Sequence, residues 1–196
     1  MILSRRVIGV RGKLIVISGP SGVGKGTILS RLFEDSSLNL AFSISMTTRN
    51  PRDQEQEGIH YFFVDKKTFI KNIEENMLLE HAQYNSEYYG TPKNYVDQLL
   101  DEGKNVVLEI EVQGALQVMN ARPDTLTIFI APPTYEELER RLRNRGTETE
   151  DKILERLAKA KHELTYQNKY QYIVVNDHLD SAIEETRQII KHYIQA

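Results

Sequence analysis

Apolar residues recur along the chain in runs of four to seven, separated by stretches in which apolar positions fall at helical spacing. Lys13–Ser18, Asn105–Ile110, Leu126–Ile130 and Tyr172–Asn176 are nearly continuous runs rather than alternating ones. A strand with one wet face alternates apolar and polar side chains, whereas a strand covered on both faces does not. These four therefore read as parallel strands buried between helices. The intervening helices carry their own boundaries. Thr91-Pro92 offers an N-cap followed by proline at the first helical position, and Gly103 closes that helix. Thr134-Tyr135-Glu136-Glu137 has capping-box spacing ahead of Leu138 and Leu142. Leu179, Ile183, Thr186, Ile190 and Ile194 form one apolar stripe on a C-terminal helix. Strand–helix alternation of this kind predicts a three-layer α/β fold around a parallel core sheet.

Two stretches break the rhythm. From about 43 to 90 lie short aromatic-rich strands such as His60–Val64, a helix near Lys66–Glu75 and a polar turn at Asp53–Gly58, which together predict an inserted, mixed α/β subdomain. From about Arg140 to Arg156 the chain is dense in arginine and carries Gly146. That stretch predicts a helical lid, two helices joined by a loop able to close over ligands. The expected organisation is a single domain with a core of 13–42, 91–139 and 157–196, an insertion of 43–90 and a lid of 140–156.

Composition narrows the function classes. Of 196 residues, 40% are hydrophobic and 27% charged, which suits a folded globular chain. With 25 basic and 28 acidic residues the net charge is −3, which argues against a partner held by phosphate neutralisation such as nucleic acid. No apolar run approaches the roughly 18 residues of a spanning helix, and Val7–Val10 is too short for a signal-peptide core. The absence of cysteine excludes disulfides, thiolate metal sites and thiol nucleophiles, and a cytoplasmic address fits. His60, His81, His162, His178 and His192 show no metal-ligand spacing, and Tyr95, Tyr166, Tyr170, Tyr172 and Tyr193 read as packing residues.

Five constellations carry chemistry. Gly19-Pro20-Ser21-Gly22-Val23-Gly24-Lys25 follows the first buried strand and opens into a helix. Glycines let backbone N–H groups converge on a phosphate, the helix N-terminus adds positive partial charge, and the lysine reaches the terminal phosphates. Gly26 stands where such loops normally offer a hydroxyl to Mg²⁺, and Thr27 follows one place later. Next, Ser45-Met46-Thr47-Thr48-Arg49-Asn50-Pro51-Arg52, with Glu55, Gly58 and Tyr61, places two arginines three apart beside hydroxyls. That pair can hold a second phosphate or be a solvated turn. Glu80 with Tyr88-Tyr89-Gly90-Thr91 offers a carboxylate and hydroxyls to a purine edge, or else a surface acid over core tyrosines. Glu109 and Glu111, at i and i+2 of a strand end, project together where open α/β sheets bind ligands. They can orient Mg²⁺ through water, hold arginines of a second site, or form a plain salt-bridged strand end. Last, Arg140, Arg141, Arg143, Arg145 and Arg156 supply cations of the kind that phosphoryl transfer requires.

Taken together, these motifs resemble guanylate kinase, the family of P-loop enzymes that phosphorylate GMP with ATP. The resemblance runs from about Lys13 to the C-terminus. It also includes Glu109-Ile110-Glu111-x-Gln113-Gly114, Ala131-Pro132-Pro133, Arg145-Gly146-Thr147-Glu148 and Val175-Asn176-Asp177. It implies that Gly19, Pro20, Ser21, Gly22, Val23, Gly24, Lys25, Gly26 and Thr27 hold the ATP phosphates, with Asn176 near the adenine. Arg49, Arg52, Tyr61 and Tyr89 would bind the GMP phosphate. Ser45, Glu80, Gly90 and Thr91 would surround guanine, with Glu109 and Glu111 as floor. Lys25, Arg141, Arg145 and Arg156 would be the catalytic cations. Mg²⁺ would arrive with ATP and be held by its phosphates and water, with Thr27 the one candidate protein ligand. ATP and GMP are the implied partners of a monomer or small homo-oligomer, without nucleic acid or membrane. Gln54 departs from the family, which usually has glycine between Arg52 and Glu55. Related domains also include non-catalytic protein-binding modules, typically with a degraded phosphate loop, and a P-loop kinase with another acceptor is a further alternative.

Overall fold

The computed structural model describes residues 10–84, 86–144 and 149–196. The core sheet has strands β1 (Leu14–Ser18), β2 (Leu40–Phe42), β7 (Asn105–Glu109), β8 (Leu126–Ala131) and β9 (Tyr172–Val175), in the order β2-β7-β1-β8-β9. Each neighbouring pair is parallel. Central β1 is buried at every position, and its side chains divide by parity. Ile15 and Ile17 pack with α1 (Lys25–Phe33) and α7 (Leu179–Gln195) through Ile28, Leu29, Leu32, Ile183 and Ile190. Leu14 and Val16 pack on the other face with α3 (Lys93–Asp101) and α4 (Val112–Ala121) through Val96, Leu100, Val112 and Val118. Each such aliphatic side chain contributes about 1.5–3 kcal/mol of burial, so the rigid part of the molecule is the sheet that carries the phosphate loop.

The second sheet consists of β3 (Ser45–Thr47), β4 (Tyr61–Phe63), β5 (Leu78–Tyr84) and β6 (Glu87–Pro92), in the order β4-β3-β6-β5, beside α2 (Lys66–Glu74). Two further helices, α5 (Tyr135–Asn144) and α6 (Glu150–Leu164), contact one another and follow β8.

Three sequence expectations change. β9 is the sheet's edge, so Tyr172, Ile173 and Val175 are exposed and only Val174 is buried, unlike a strand covered on both faces. Thr91 is not a helix cap: it lies in β6, Pro92 is the N-cap residue, and the helix starts at Lys93. The capping box at Thr134 is half made. Glu137 N–H donates to Thr134 Oγ1 at 3.1 Å, but the Glu137 carboxylate accepts from Arg140 and Arg141 instead of reaching back.

Candidate active site

The phosphate loop leaves the C-terminal end of β1 and enters α1, whose N-cap is Gly24 at φ +100°. Such a conformation suits glycine alone. Lys25 folds back over this loop, its Nζ donating to the carbonyls of Gly19 at 2.6 Å and Pro20 at 3.1 Å. Burial pushes its pKa down, while the carboxylates of Glu109, Glu163 and Glu111 oppose that shift. Gly22, Val23, Gly24 and Thr27 share a cavity of about 290 Å³ with Arg141, Asn176 and Asp177. Arg156 on α6 donates to Ser21 Oγ, so an arginine of α6 already touches the loop. Arg141 is held at Glu137 Oε1, 2.7 Å away. Arg145 lies outside the described residues. Gly26 and Thr27 are exposed on the first turn of α1. Asn176 is buried, and its side-chain Nδ2 donates to the carbonyl of Val23 at 2.8 Å.

A second cavity of about 300 Å³ gathers Ser45, Tyr61, Glu80, Tyr89, Gly90, Glu109 and Glu111. Its base-reading candidate is built by a register shift. A β-bulge between Leu78 and Glu80 sets Glu80 directly opposite Thr91 across β5–β6. The two then form a buried pair in which Thr91 Oγ1 donates to Glu80 Oε1 at 2.6 Å. Burial raises the Glu80 pKa to about 7, against the Thr91 hydrogen bond and with help from Glu111. Helix α4 backs this carboxylate, since a Cβ at Gly114 would lie 2.5 Å from Glu80 Oε2. Next to it, the Gln117 amide accepts from His81 N–H at 3.0 Å and donates to His81 O at 2.9 Å.

Strand β7 relates the second cavity to the lysine of the glycine-rich loop. Glu109 is in register with Ile17 near the end of β1, lines the second cavity, and faces Lys25 electrostatically. Glu111 pairs with Lys159 of α6 at 2.5 Å, and that ammonium also lies 5.4 Å from the centroid of the Tyr84 ring.

Arg49 lies 2.9 Å from Glu55 and 5.5 Å from the centroid of the ring of Tyr61, which lines the second cavity. Arg49 and the main-chain N–H of Arg52 both donate to the Glu55 carboxylate, which holds its pKa down at about 2. The Arg52 side chain is exposed and does not line the cavity. Gln54 has no positive φ, so this turn has no need of the usual glycine. Sequence reasoning assigned no role to Gly114, Gln117, Lys159 or Glu163. Gly114 and Gln117 are three apart on one helix face, and that spacing is the single local signal they offer.

Residues 11–193 match the family model described as guanylate kinase. The guanylate kinase of Oceanobacillus iheyensis is 47% identical over 185 residues, covering 94% of this chain and 89% of its own length. That of Bacillus subtilis is 49% identical over 180 residues, covering 92% and 88%. A solved guanylate kinase from Anaplasma phagocytophilum superposes with a TM-score of 0.73 at 30% identity, covering 96% of this chain and 89% of that one. The SH3-kinase fragment of tight junction protein 3 shares the fold alone, at 10% identity and a TM-score of 0.51 over 94% of this chain and 58% of that one.

Proposed function

The chain belongs to the guanylate kinase family, and from that membership we propose how its own residues divide the work of moving the γ-phosphoryl group of ATP to GMP. The products are ADP and GDP. The observation that carries the division is the buried Glu80–Thr91 pair, in a cavity whose floor, Glu109, also faces the phosphate-loop lysine.

Guanine presents N1–H and an exocyclic amine side by side as donors. An ionised Glu80, with one oxygen already held by Thr91, accepts from that edge, while Ser45 and the Gly90 main chain line the same cavity. Adenine would turn its N1 lone pair toward the carboxylate and leave buried polar groups unmatched, at about 1–3 kcal/mol each. Arg49, oriented by Glu55 and the Tyr61 ring with Tyr89 beside that ring, would take the GMP phosphate, and Arg52, exposed on its turn and outside the cavity, would have to turn inward to join it. The loop N–H groups and Lys25 take the ATP phosphates. Arg141, Arg156 and Arg145 supply charge where the phosphoryl group crosses. No covalent intermediate is needed, so catalysis is positioning and charge neutralisation.

The nucleotide donor is MgATP. Among the described residues no cluster of three or more His, Asp or Glu side chains is arranged to hold a metal. Thr27, exposed on the first turn of α1 and lining the cavity of the glycine-rich loop, is the protein hydroxyl we assign to an ion that would otherwise stay on the ATP phosphates and keep its waters. Mg²⁺ supplies charge neutralisation on the phosphate oxygens when bound. No helix among the described residues is long and apolar enough to cross a membrane. ATP and GMP are intracellular nucleotides, which supports a cytoplasmic site of action.

The test is ADP release from ATP with GMP, AMP, CMP and UMP as separate acceptors. GMP is expected to exceed each of the others by at least 100-fold in kcat/KM, about 3 kcal/mol of discrimination. Comparable turnover of AMP would reject the guanine reading of Glu80.

A further inference from the structure

Asn176 ends β9. Its main-chain N–H donates to Ala131 O at 2.8 Å, and the residue is 5% exposed. From there Nδ2 reaches across 153 positions of sequence to the carbonyl of Val23 at 2.8 Å. This contact falls on one peptide of the phosphate loop, the one joining Val23 to Gly24. Because a trans peptide is planar, its C=O and N–H point in opposite directions. Fixing the Val23 carbonyl toward Asn176 therefore turns the Gly24 N–H away from Asn176, to the opposite side of the loop backbone.

That peptide needs a restraint. Gly24 sits at φ +100° and has no Cβ, so on the Gly24 side rotation of this peptide meets little steric resistance. A flipped peptide would present the Val23 carbonyl oxygen, with its partial negative charge, where a phosphate must bind. The fit around Asn176 is also tight, since a Cβ at position 24 would lie 2.5 Å from Nδ2. Glycine at 24 thus permits both the turn and the clamp.

We propose that Asn176 is a positioning residue for the phosphate loop, acting through the Val23 carbonyl to hold the Val23–Gly24 peptide in its phosphate-binding orientation. The inference rests on the assignment of this loop to the ATP phosphates. It differs from a base-reading role, in which the same amide, lining the cavity with Arg141 and Asp177, would recognise adenine.

The two roles separate on a ligand without a base. Inorganic tripolyphosphate, ATP and GMP are titrated calorimetrically into wild type, Asn176→Ala and Asn176→Asp, and ATP is compared with GTP as phosphoryl donor. Asn176→Ala is expected to weaken tripolyphosphate and ATP alike by about tenfold, with the ATP-to-GTP preference unchanged and GMP affinity retained. Asn176→Asp is expected to bind tripolyphosphate more weakly still at neutral pH, because a carboxylate would face a carbonyl. Relative to wild type at the same pH, which cancels titration of Asp177 and of the ligand, it should recover on acidification as the neutral acid regains a donor. Tripolyphosphate affinity within twofold of wild type in Asn176→Ala, with loss of the ATP preference, would overturn the proposal in favour of base reading. If Asn176→Ala also loses GMP through misfolding, the Asn176→Asp series decides, and no recovery at low pH would overturn the proposal. Failure of tripolyphosphate and ATP to bind wild type would instead reject the phosphate-loop assignment, and this inference with it.

Discussion

Glu80 is 6% exposed, and burial has lifted its pKa from 4.5 to about 7. The folded chain therefore holds a proton there that the unfolded chain has already released, and stability attributable to this group falls as pH rises from about 4.5 to about 7. Above that window the ionised, buried carboxylate costs on the order of 3 kcal/mol. Glu80→Gln keeps an oxygen for Thr91 and removes the charge. The variant is expected to unfold at higher urea than wild type at pH 8 and at about the same urea at pH 4.5. It should also raise KM for GMP and narrow the GMP-to-AMP ratio. Wild-type KM for GMP should fall as pH rises through about 7, and Glu80→Gln should lack that component. A variant as selective as wild type would remove Glu80 from base recognition. Gly26 makes a separate residue-scale case. A Cβ there would meet nothing within 4 Å, so serine fits. Gly26→Ser is expected to lower the Mg²⁺ concentration for half-maximal rate and to leave GMP selectivity untouched; an unchanged Mg²⁺ requirement would mean the added hydroxyl does not reach the ion.

At the scale of elements, α4 is the template against which β5 holds its carboxylate. Gly114 leaves room for Glu80 Oε2, and Gln117 pairs both main-chain groups of His81, so helix and strand are joined on either side of the Glu80–His81 peptide. Gly114→Ala places a methyl 2.5 Å from Glu80 Oε2 and 3.1 Å from its Cδ. The Thr91 bond limits the escape of that side chain, so the carboxylate must rotate. KM for GMP is expected to rise about tenfold, the scale of one misplaced hydrogen bond to a charged group, with KM for ATP and the fold unchanged. Equal KM values for GMP would show that the carboxylate tolerates the displacement. Legibility in the sequence follows the same division by range. The strand–Gly-rich turn–helix around Lys25 is local, so its spacing declared both shape and chemistry. The four buried runs likewise declared the parallel sheet, although β9's edge position depends on strand order and could not be read from its apolar composition. Thr-Pro is a helix start in isolation, so the sequence makes Thr91 a cap; its partner Glu80 is set by a bulge, which no pattern of period two predicts. Gly114, Gln117 and the Asn176–Val23 contact join distant elements and left almost no sequence signal.

At the scale of the whole molecule, the candidate cations are already engaged: Lys25 on loop carbonyls, Arg49 on Glu55, Arg141 on Glu137, Arg156 on Ser21. In the proposed division of work Lys25, Arg49, Arg141 and Arg156 all meet phosphate, and they come from different parts of the fold. Arg49 follows β3 of the four-stranded sheet, Arg141 and Arg156 lie on α5 and α6, and Lys25 opens α1 beside the parallel sheet. Across an open, wet cleft, charges separated by more than a Debye length of about 8–10 Å are largely screened. Two polyanionic substrates bound together supply the attraction that draws these parts inward, and water leaving the cleft then strengthens each contact. Either nucleotide alone engages one side. The expected outcome is a decrease, in small-angle scattering, from a radius of gyration of about 16 Å for a compact chain of this length when guanosine and adenosine are presented joined through phosphates in one bisubstrate analogue. ATP alone or GMP alone should produce a smaller change than the analogue. Charge neutralisation is the driving force, so added salt should reduce the compaction while leaving the ligand-free curve unchanged. A scattering curve identical with and without saturating analogue would mean that the cations reach their phosphates by side-chain rotation alone, and the rigid-body part of the mechanism would be withdrawn.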